Sequence, residues 1–577
     1  MRKVFFTFLI VLLCGTFAIA QKVEVQEVIL DNGMRVLLLP RKGDPNIAAG
    51  WIARVGSVNE RPGITGLSHL FEHMMFKGTH AIGTRKLEEN LKVIADLDNV
   101  KAQVDAEQRV LIRKQQLGEI DDANDPKNRS QRHQDLLKQL EDLTKKEREV
   151  MVKDEFDRVY TTAGGAGMNA STSNDWTVYF INVPANKIEL WFWMESDRLA
   201  NPVFREFYAE RDVVREERRL RTESTPTGKF NEQFDAMFWQ SSPYGWPVVG
   251  WPGDLAAITR EEALAYFAQN YAPNNLSAIL VGDFESSNAI ALAKKYFGRL
   301  KRSPKDVEPV RTLEMKQQAE QRMYAYAETS PQVRIRYHTV PDGHKDGFAL
   351  SIMSSLLNGR TGRLYKSLVL QQGVATNAFG GQSGLKFEGY FELSGTSKPG
   401  KTPEDVEQAL YKEIEKLQNE LVPERELQKI KNQIAAGSFR GQQSNFGLMI
   451  QLMFREVYGG WQRINTDPQM LQAITPQDIQ RVAKKYFDKE NRNVAIYYTK
   501  KSDKPEDSEL AALSEQEKAQ IQQLKAALPQ MKSEQVKQIL GVIEQQMTSA
   551  PADKQAGLKY AKKLLEERLK QLEGGKP

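Results

Sequence analysis

Hydrophobic and polar residues alternate through VEVQEVIL (23–30) and again through RVLLLP (35–40), on either side of Asp31-Asn32-Gly33. Period-two alternation flanking an Asn-Gly pair predicts a β-hairpin. IAAGWIARVG, from Ile47, predicts a third strand. The period then changes. In GLSHLFEHMMF, Leu67, Leu70, Phe71, Met74 and Met75 recur at three- and four-residue steps, which predicts a mostly apolar helix. NDWTVYFINVP (174–184) reads as an aromatic-rich strand, and NPVFREFYAERDVVREERRLR (201–221) as a charged helix with an apolar face.

Two later stretches resemble each other: AITREEALAYFAQNYAPNNLSAILVGD from Ala257, and AITPQDIQRVAKKYFDKENRNVAIYYT from Ala473. Each has a Thr N-cap after Ala-Ile, an amphipathic helix, and a strand rich in Ala, Ile and Val. Upstream of the second copy, RIRYHTVP (334–341) reads as a core strand and GFALSIMSSLLNG (347–359) as a packed helix. The expected fold is α+β, with two tandem homologous α/β domains at about 21–300 and 316–500. The polar, Pro-containing stretch around 301–315 serves as their linker. Two segments stand outside the repeat. Leu97, Val100, Val104 and Leu111, then Leu136, Leu140 and Leu143, keep helical spacing on both sides of DDANDPKNR. That pattern predicts a helical hairpin over about 87–157, inserted in the first domain. The tail from about 501 to 577 predicts further charged helices.

The termini and composition narrow the setting. Arg2 and Lys3, an apolar run from Val4 to Leu13, and Ala18-Ile19-Ala20 before Gln21 form a secretory signal peptide. The protein is then exported, to the periplasm in a double-membrane bacterium and otherwise to the medium. Cys14, the single cysteine, lies inside that segment, where lipidation is the alternative to cleavage. A mature chain without cysteine forms no disulfide and no thiolate metal site, so a zinc ion must be held by His and Asp or Glu. No later segment is apolar enough to span a bilayer. The net charge of +5 arises from 80 basic and 75 acidic residues mixed along the chain. With no basic stripe among aromatics, nucleic acid is not an expected partner.

Only six histidines occur in 577 residues, and two of them stand four apart in His69-Leu-Phe-Glu72-His73. On a helix, residues four apart share a face one turn apart, so both imidazoles can reach one point. Two satisfied core histidines on an apolar helix are the plain alternative. A catalytic zinc takes three protein ligands and leaves a place for water, and a neighbouring glutamate can accept that water's proton. The order is that of the inverted zincin motif. Glu217 is the candidate third ligand; it follows Glu210 by two helical turns and shares its face. Glu88, Glu89 and Glu216 remain as neighbouring glutamates.

The chain resembles the pitrilysin family of zinc metallopeptidases, and within it the shorter branch that includes mitochondrial processing peptidase. GLSHLFEHMMFKGT, GGAGMNASTSNDWTVYF, ERDVVREE and the duplicated α/β domain carry the resemblance. It implies one Zn2+ per chain, bound by His69, His73 and Glu217, with Glu72 as general base and Glu210 as supporting carboxylate. It implies that the strand around Asn169, Ala170 and Ser171 binds an extended peptide substrate by β-augmentation. The family also uses an Arg and a Tyr seven residues apart on its zinc-less half. Here GRLYKSLVLQQGVATNA places Val369 and Thr376 at those positions, with Arg363 and Tyr365 nearby at the wrong spacing. The resemblance therefore implies a heterodimer with a related zinc-less subunit, in preference to a homodimer. The expected function is an exported zinc metalloendopeptidase subunit. The alternatives are a non-catalytic peptide-binding scaffold of the same fold and a peptidase dedicated to one precursor.

Overall fold

The Asn-Gly pair does what its chemistry favours. Gly33, at φ +87, turns β1 (Gln26–Ile29) back antiparallel onto β2 (Arg35–Pro40). The computed structural model describes residues 22–500, 508–511, 513–528, 531, 533–551 and 554–574. The signal peptide expected at 1–20, and Cys14 with it, lies outside the described residues.

Four further strands complete the first sheet: β3 (Asn46–Ala53), β4 (Ala166–Thr172), β5 (Thr177–Pro184) and β6 (Leu276–Gly282). Their order is β1-β2-β6-β3-β5-β4, with β2 and β6 parallel and the other neighbours antiparallel. The second sheet contains β7 (Gln321–Ala327), β8 (Gln332–Thr339), β9 (Ala375–Gly384), β10 (Gly389–Ser397) and β11 (Arg492–Thr499), in the order β7-β11-β8-β10-β9. Removing β1 leaves the same arrangement: β2, β6, β3, β5, β4 correspond in turn to β7, β11, β8, β10, β9. The repeated Ala-Ile-Thr segments occupy equivalent places. Thr259 and Thr475 each cap a helix in a capping box, with Glu262 and Asp478, and each helix leads into the sheet's second strand, β6 or β11. Residues 301–320, between the halves, form no helix or strand.

The halves interlock. Helix Asn445–Val457, from the second half, lays Leu448, Met449, Leu452 and Met453 against Leu37, Ala48, Ile52 and Ile279 of the first sheet. In return helix Gly228–Phe238 places Phe234 against Ala325, Ala495 and Tyr497 of the second. Each sheet thus hides one face beneath a helix donated by the other half, consistent with the near-continuous apolar reading of strands such as β6.

The inserted segment is a pair of packed helices, Leu87–Gln116 and Gln131–Val150, with Val100, Val104 and Leu136 buried between them. The charged helix begins later than its sequence suggests: it spans Phe207–Arg218 and ends in a π-helical turn over Arg219–Glu223. Residues 201–206 are excluded because Val203, Phe204 and the Arg205 guanidinium are buried, and Glu206 lies at φ +54. Residues 499–577 form a unit of their own, in which helices Glu515–Ala527, Ser533–Ser549 and Gln555–Gly574 enclose Ile521, Val536, Tyr560 and Leu565. Among the described residues no helix is long and apolar enough to cross a membrane.

One buried carboxylate fastens the second half. Asp346, with no exposed surface, accepts from Arg481 (2.8 Å), Lys485 (2.9 Å) and the Tyr486 hydroxyl (2.6 Å). Burial opposes its charge, but these donors outweigh burial and hold the carboxyl well below the usual range. Asp346→Asn should lower stability by about 1–3 kcal/mol at neutral pH, with solvent screening at the two half-exposed cations moderating the loss. Because the folded carboxyl titrates low, this contribution is complete above about pH 4–5. It fades as pH falls toward the folded value. Melting curves should therefore show the wild type's lead at pH 7 and a smaller lead at pH 3; an equal lead at both would contradict this assignment.

Candidate metal centre

The helix Leu67–Met74 exists because its apolar side is buried: Leu67, Leu70, Phe71 and Met74 enter the core of the first half. It has no side-chain N-cap. Its first turn is instead held by Glu60, whose carboxyl oxygens accept from the Gly66 N–H (2.7 Å) and the Ser68 N–H (2.6 Å). Burial pushes the Glu60 carboxyl up to about 8, against the pull of those donors. Gly66 is required here: its φ is +89, and a Cβ would lie 2.5 Å from the Val249 carbonyl oxygen. The opposite side of the helix, with His69 and His73, faces the helix Phe207–Arg218.

His69, His73 and Glu217 converge, with one ligand atom from each lying within 4.8 Å of the others. Glu217 Oε2 is 3.5 Å from His73 Nε2 and 3.8 Å from His69 Nε2. Four ligands placed tetrahedrally at zinc's bond lengths of about 2.0–2.1 Å would be about 3.3 Å apart. The observed separations are close to that, and two imidazoles with one carboxylate make a donor set typical of catalytic zinc, so these residues fit the ion. The other oxygen of Glu217 is taken by Arg221 at 2.5 Å. Glu88 and Glu89 lie in the inserted hairpin, and Glu216 points outward to Arg219, so the structure brings Glu217 alone of these candidates into the cluster.

The surrounding charges prepare the two rings differently. Burial, then His73 and Arg221, push the His69 imidazole down to about 3, leaving a neutral ring with a free lone pair. Its buried Nδ1 has no hydrogen-bond partner among the described residues. For His73, burial opposes charge, but Glu210, Glu217 and Glu72 outweigh it and raise the ring above its ordinary value. Carboxylates that favour a proton on His73 also favour a metal cation in its place. Glu210 Oε1 meets His73 Nδ1 at 2.9 Å, while its other oxygen binds Lys77 at 2.5 Å. Burial works against ionisation of Glu210, yet His73 and Lys77 bring its carboxyl down to about 2. Such a carboxylate fixes the tautomer of a ligating imidazole and strengthens it as a donor. Glu210→Gln should therefore weaken zinc binding about ten-fold or more without unfolding the chain. Competition against a chromophoric chelator, with circular dichroism as control, would measure this.

Glu72 is half-buried beside the cluster. Burial raises its carboxyl above the usual range, with Thr172 and His73 pulling the other way and Glu217 reinforcing the rise. Thr172 ends β4, the last strand in its sheet, so among the described residues one edge of β4 is free of strand pairing. Asn169 and Ser171 on β4 are exposed and Ala170 is buried; the Asn169 side-chain oxygen accepts from the Ala170 N–H at 2.8 Å. Val369 lies in the π-helical turn Tyr365–Gln371, and Thr376 is exposed on β9. Arg363 is held by both oxygens of Glu426, at 3.1 and 2.6 Å. Sequence reasoning missed Lys77 and Glu60. Nothing distinguishes them among 155 charged residues except proximity to the motif.

The chain is similar to known proteins. A family model described as "Insulinase (Peptidase family M16)" matches residues 35–162, which include His69, Glu72 and His73. One described as "Peptidase M16 inactive domain" matches 257–434. Glu210 and Glu217 fall between the two spans. A protein named zinc protease PqqE from Helicobacter pylori is 25% identical over 479 residues, 82% of this chain and 92% of that one. The crystal structure of a protease from Helicobacter pylori superposes with a TM-score of 0.67 at 24% identity, covering 82% of this chain and 99% of that one. The periplasmic protease PqqL from Escherichia coli gives a TM-score of 0.60 at 15% identity, over 83% of this chain and 48% of that one. Two models of one family, together matching more than half of the chain on a fold these proteins share, make the chain a member of peptidase family M16.

Proposed function

We propose that the chain is the zinc-bearing subunit of an exported metalloendopeptidase that hydrolyses extended peptides or unfolded segments. The convergence of His69, His73 and Glu217, with Glu72 beside them at the end of a free edge strand, carries this reading. A zinc ion bound there supplies Lewis acidity to the attacking water and to the scissile carbonyl. Glu72 accepts a proton from the water as its oxygen bonds to the carbonyl carbon. It then returns the proton to the amide nitrogen as the C–N bond breaks. A carboxyl raised by burial suits both halves of that transfer. Asn169, Ala170 and Ser171 lie on the strand that would pair with the substrate backbone, which favours extended chains over folded ones. A docking peptide would displace the Asn169 side chain from the Ala170 N–H.

Export is supported by the signal-like residues 1–20 and by the periplasmic setting of PqqL. Val369 and Thr376 stand in place of an Arg and a Tyr, and Arg363 is engaged by Glu426, so none of these three positions presents a free cation or phenol to a substrate carbonyl. A related zinc-less subunit supplying those side chains is the proposed partner. Zinc-loaded chain should cleave a library of unstructured peptides slowly when alone and faster with such a partner, and a chelator should stop both. Full-rate, chelator-sensitive cleavage by the lone chain would retire the partner but keep the peptidase. Stoichiometric zinc with no cleavage by the chain or its pair would favour the scaffold.

A further inference from the structure

The inserted hairpin grips the helix that carries Glu210 and Glu217, and it does so from both of its own helices. From the first, Asn90 accepts from the buried Arg205 guanidinium at 2.7 Å, and Asp98 accepts from the Tyr208 hydroxyl at 2.7 Å. From the second, the buried Glu147 carboxylate accepts from the Glu206 N–H at 3.0 Å, and Arg148 pairs with the Glu206 side chain at 3.2 Å. Glu206 immediately precedes the helix Phe207–Arg218 and holds φ +54, a conformation that residues other than glycine rarely adopt. The Glu147 contact occupies an N–H at a helix start, where backbone donors lack intrahelical partners.

The contacts continue inward. Glu206 Oε2 lies 3.4 Å from Lys77 Nζ, Lys77 meets Glu210 at 2.5 Å, and Glu210 meets His73 Nδ1 at 2.9 Å. An unbroken line of alternating charges therefore runs from Arg148 on the hairpin, through Glu206, Lys77 and Glu210, to a histidine of the metal cluster. We propose that the hairpin is a positioning element of the metal centre, with Glu147 and Arg148 as positioning residues. Glu147 sets the start of the helix that carries Glu217, and Arg148 sets the carboxylate and ammonium chain that orients His73. This rests on the metal-centre reading above, but assigns the insertion a role that reading does not require.

The test compares zinc affinity, by chelator competition, and kcat and KM at saturating zinc for Glu147→Ala, Glu147→Gln and Arg148→Ala. Lys138→Ala, on an exposed part of the hairpin, is the control. Loss of the Glu147 acceptor should weaken zinc binding about ten-fold and lower kcat with KM little changed, while glutamine, which keeps an acceptor oxygen, should restore both to within about two-fold. Arg148→Ala should weaken zinc about three-fold, as a more distant link in the same chain. Wild-type affinity and kcat in both alanine variants would overturn the proposal, whatever happens to their melting temperatures. If Glu147→Ala does not fold, the exposed Arg148 decides the outcome by the same readouts. A wild-type chain that takes up no zinc would instead overturn the metal centre itself, and the coupling with it.

Discussion

Glu72→Gln should leave one zinc bound per chain and reduce peptide hydrolysis by at least about a thousand-fold, toward the upper end of what a positioned base contributes. Glutamine keeps the size and packing of the side chain but cannot accept a proton from water. Glu72 is not among the three converging ligands, so the metal should be unaffected. The two readouts separate its role from that of its neighbours: metal content by elemental analysis should match wild type while turnover disappears. Turnover above a few thousandths of wild type would remove Glu72 from the base position. Loss of zinc would make it a ligand instead.

Glu217→Gln should have the opposite signature, with zinc affinity falling by about a hundred-fold or more and activity lost along with the metal. An amide oxygen is a poorer ligand than a carboxylate, and the substitution also removes a negative charge that lies within 4 Å of both imidazoles. The adjacent Glu216 is the natural control. It is half-exposed and paired with Arg219, so Glu216→Gln should bind zinc and turn over as wild type does. Chelator competition on the two variants, which differ by one position in the chain, tests the helix register directly. Equal affinities would mean that Glu217 does not ligate.

Much of this arrangement is written in residue spacing. The helical period of Leu67, Leu70, Phe71 and Met74 places His69 and His73 on the other side of one short helix, and the seven-residue step from Glu210 to Glu217 gives them a common face. The repeated Ala-Ile-Thr caps mark equivalent helices before β6 and β11, so the duplication of the sheet was legible as well. What stayed hidden depends on tertiary neighbours. The helix Asn445–Val457 escaped the sequence analysis, and nothing in NFGLMIQLMF says that it covers the other half's sheet. Residues 201–206 continue into the charged helix in sequence, but Asn201, Pro202 and Val203 are poor helix formers, the Arg205 guanidinium is drawn inward by the carbonyls of Lys77, Thr79 and Ile82, and the helix begins only after Glu206. Lys77 and Glu60 act through contacts that no local period encodes.

Anomalous diffraction at the zinc edge, from crystals of the zinc-loaded chain, measures the centre most directly. The expected result is one strong peak about 2.0–2.2 Å from His69 Nε2, His73 Nε2 and a Glu217 carboxylate oxygen, with Glu210 on the far side of the His73 ring. A peak held by other residues, or none at this cluster in protein carrying stoichiometric zinc, would contradict the assignment of these three side chains as the metal site.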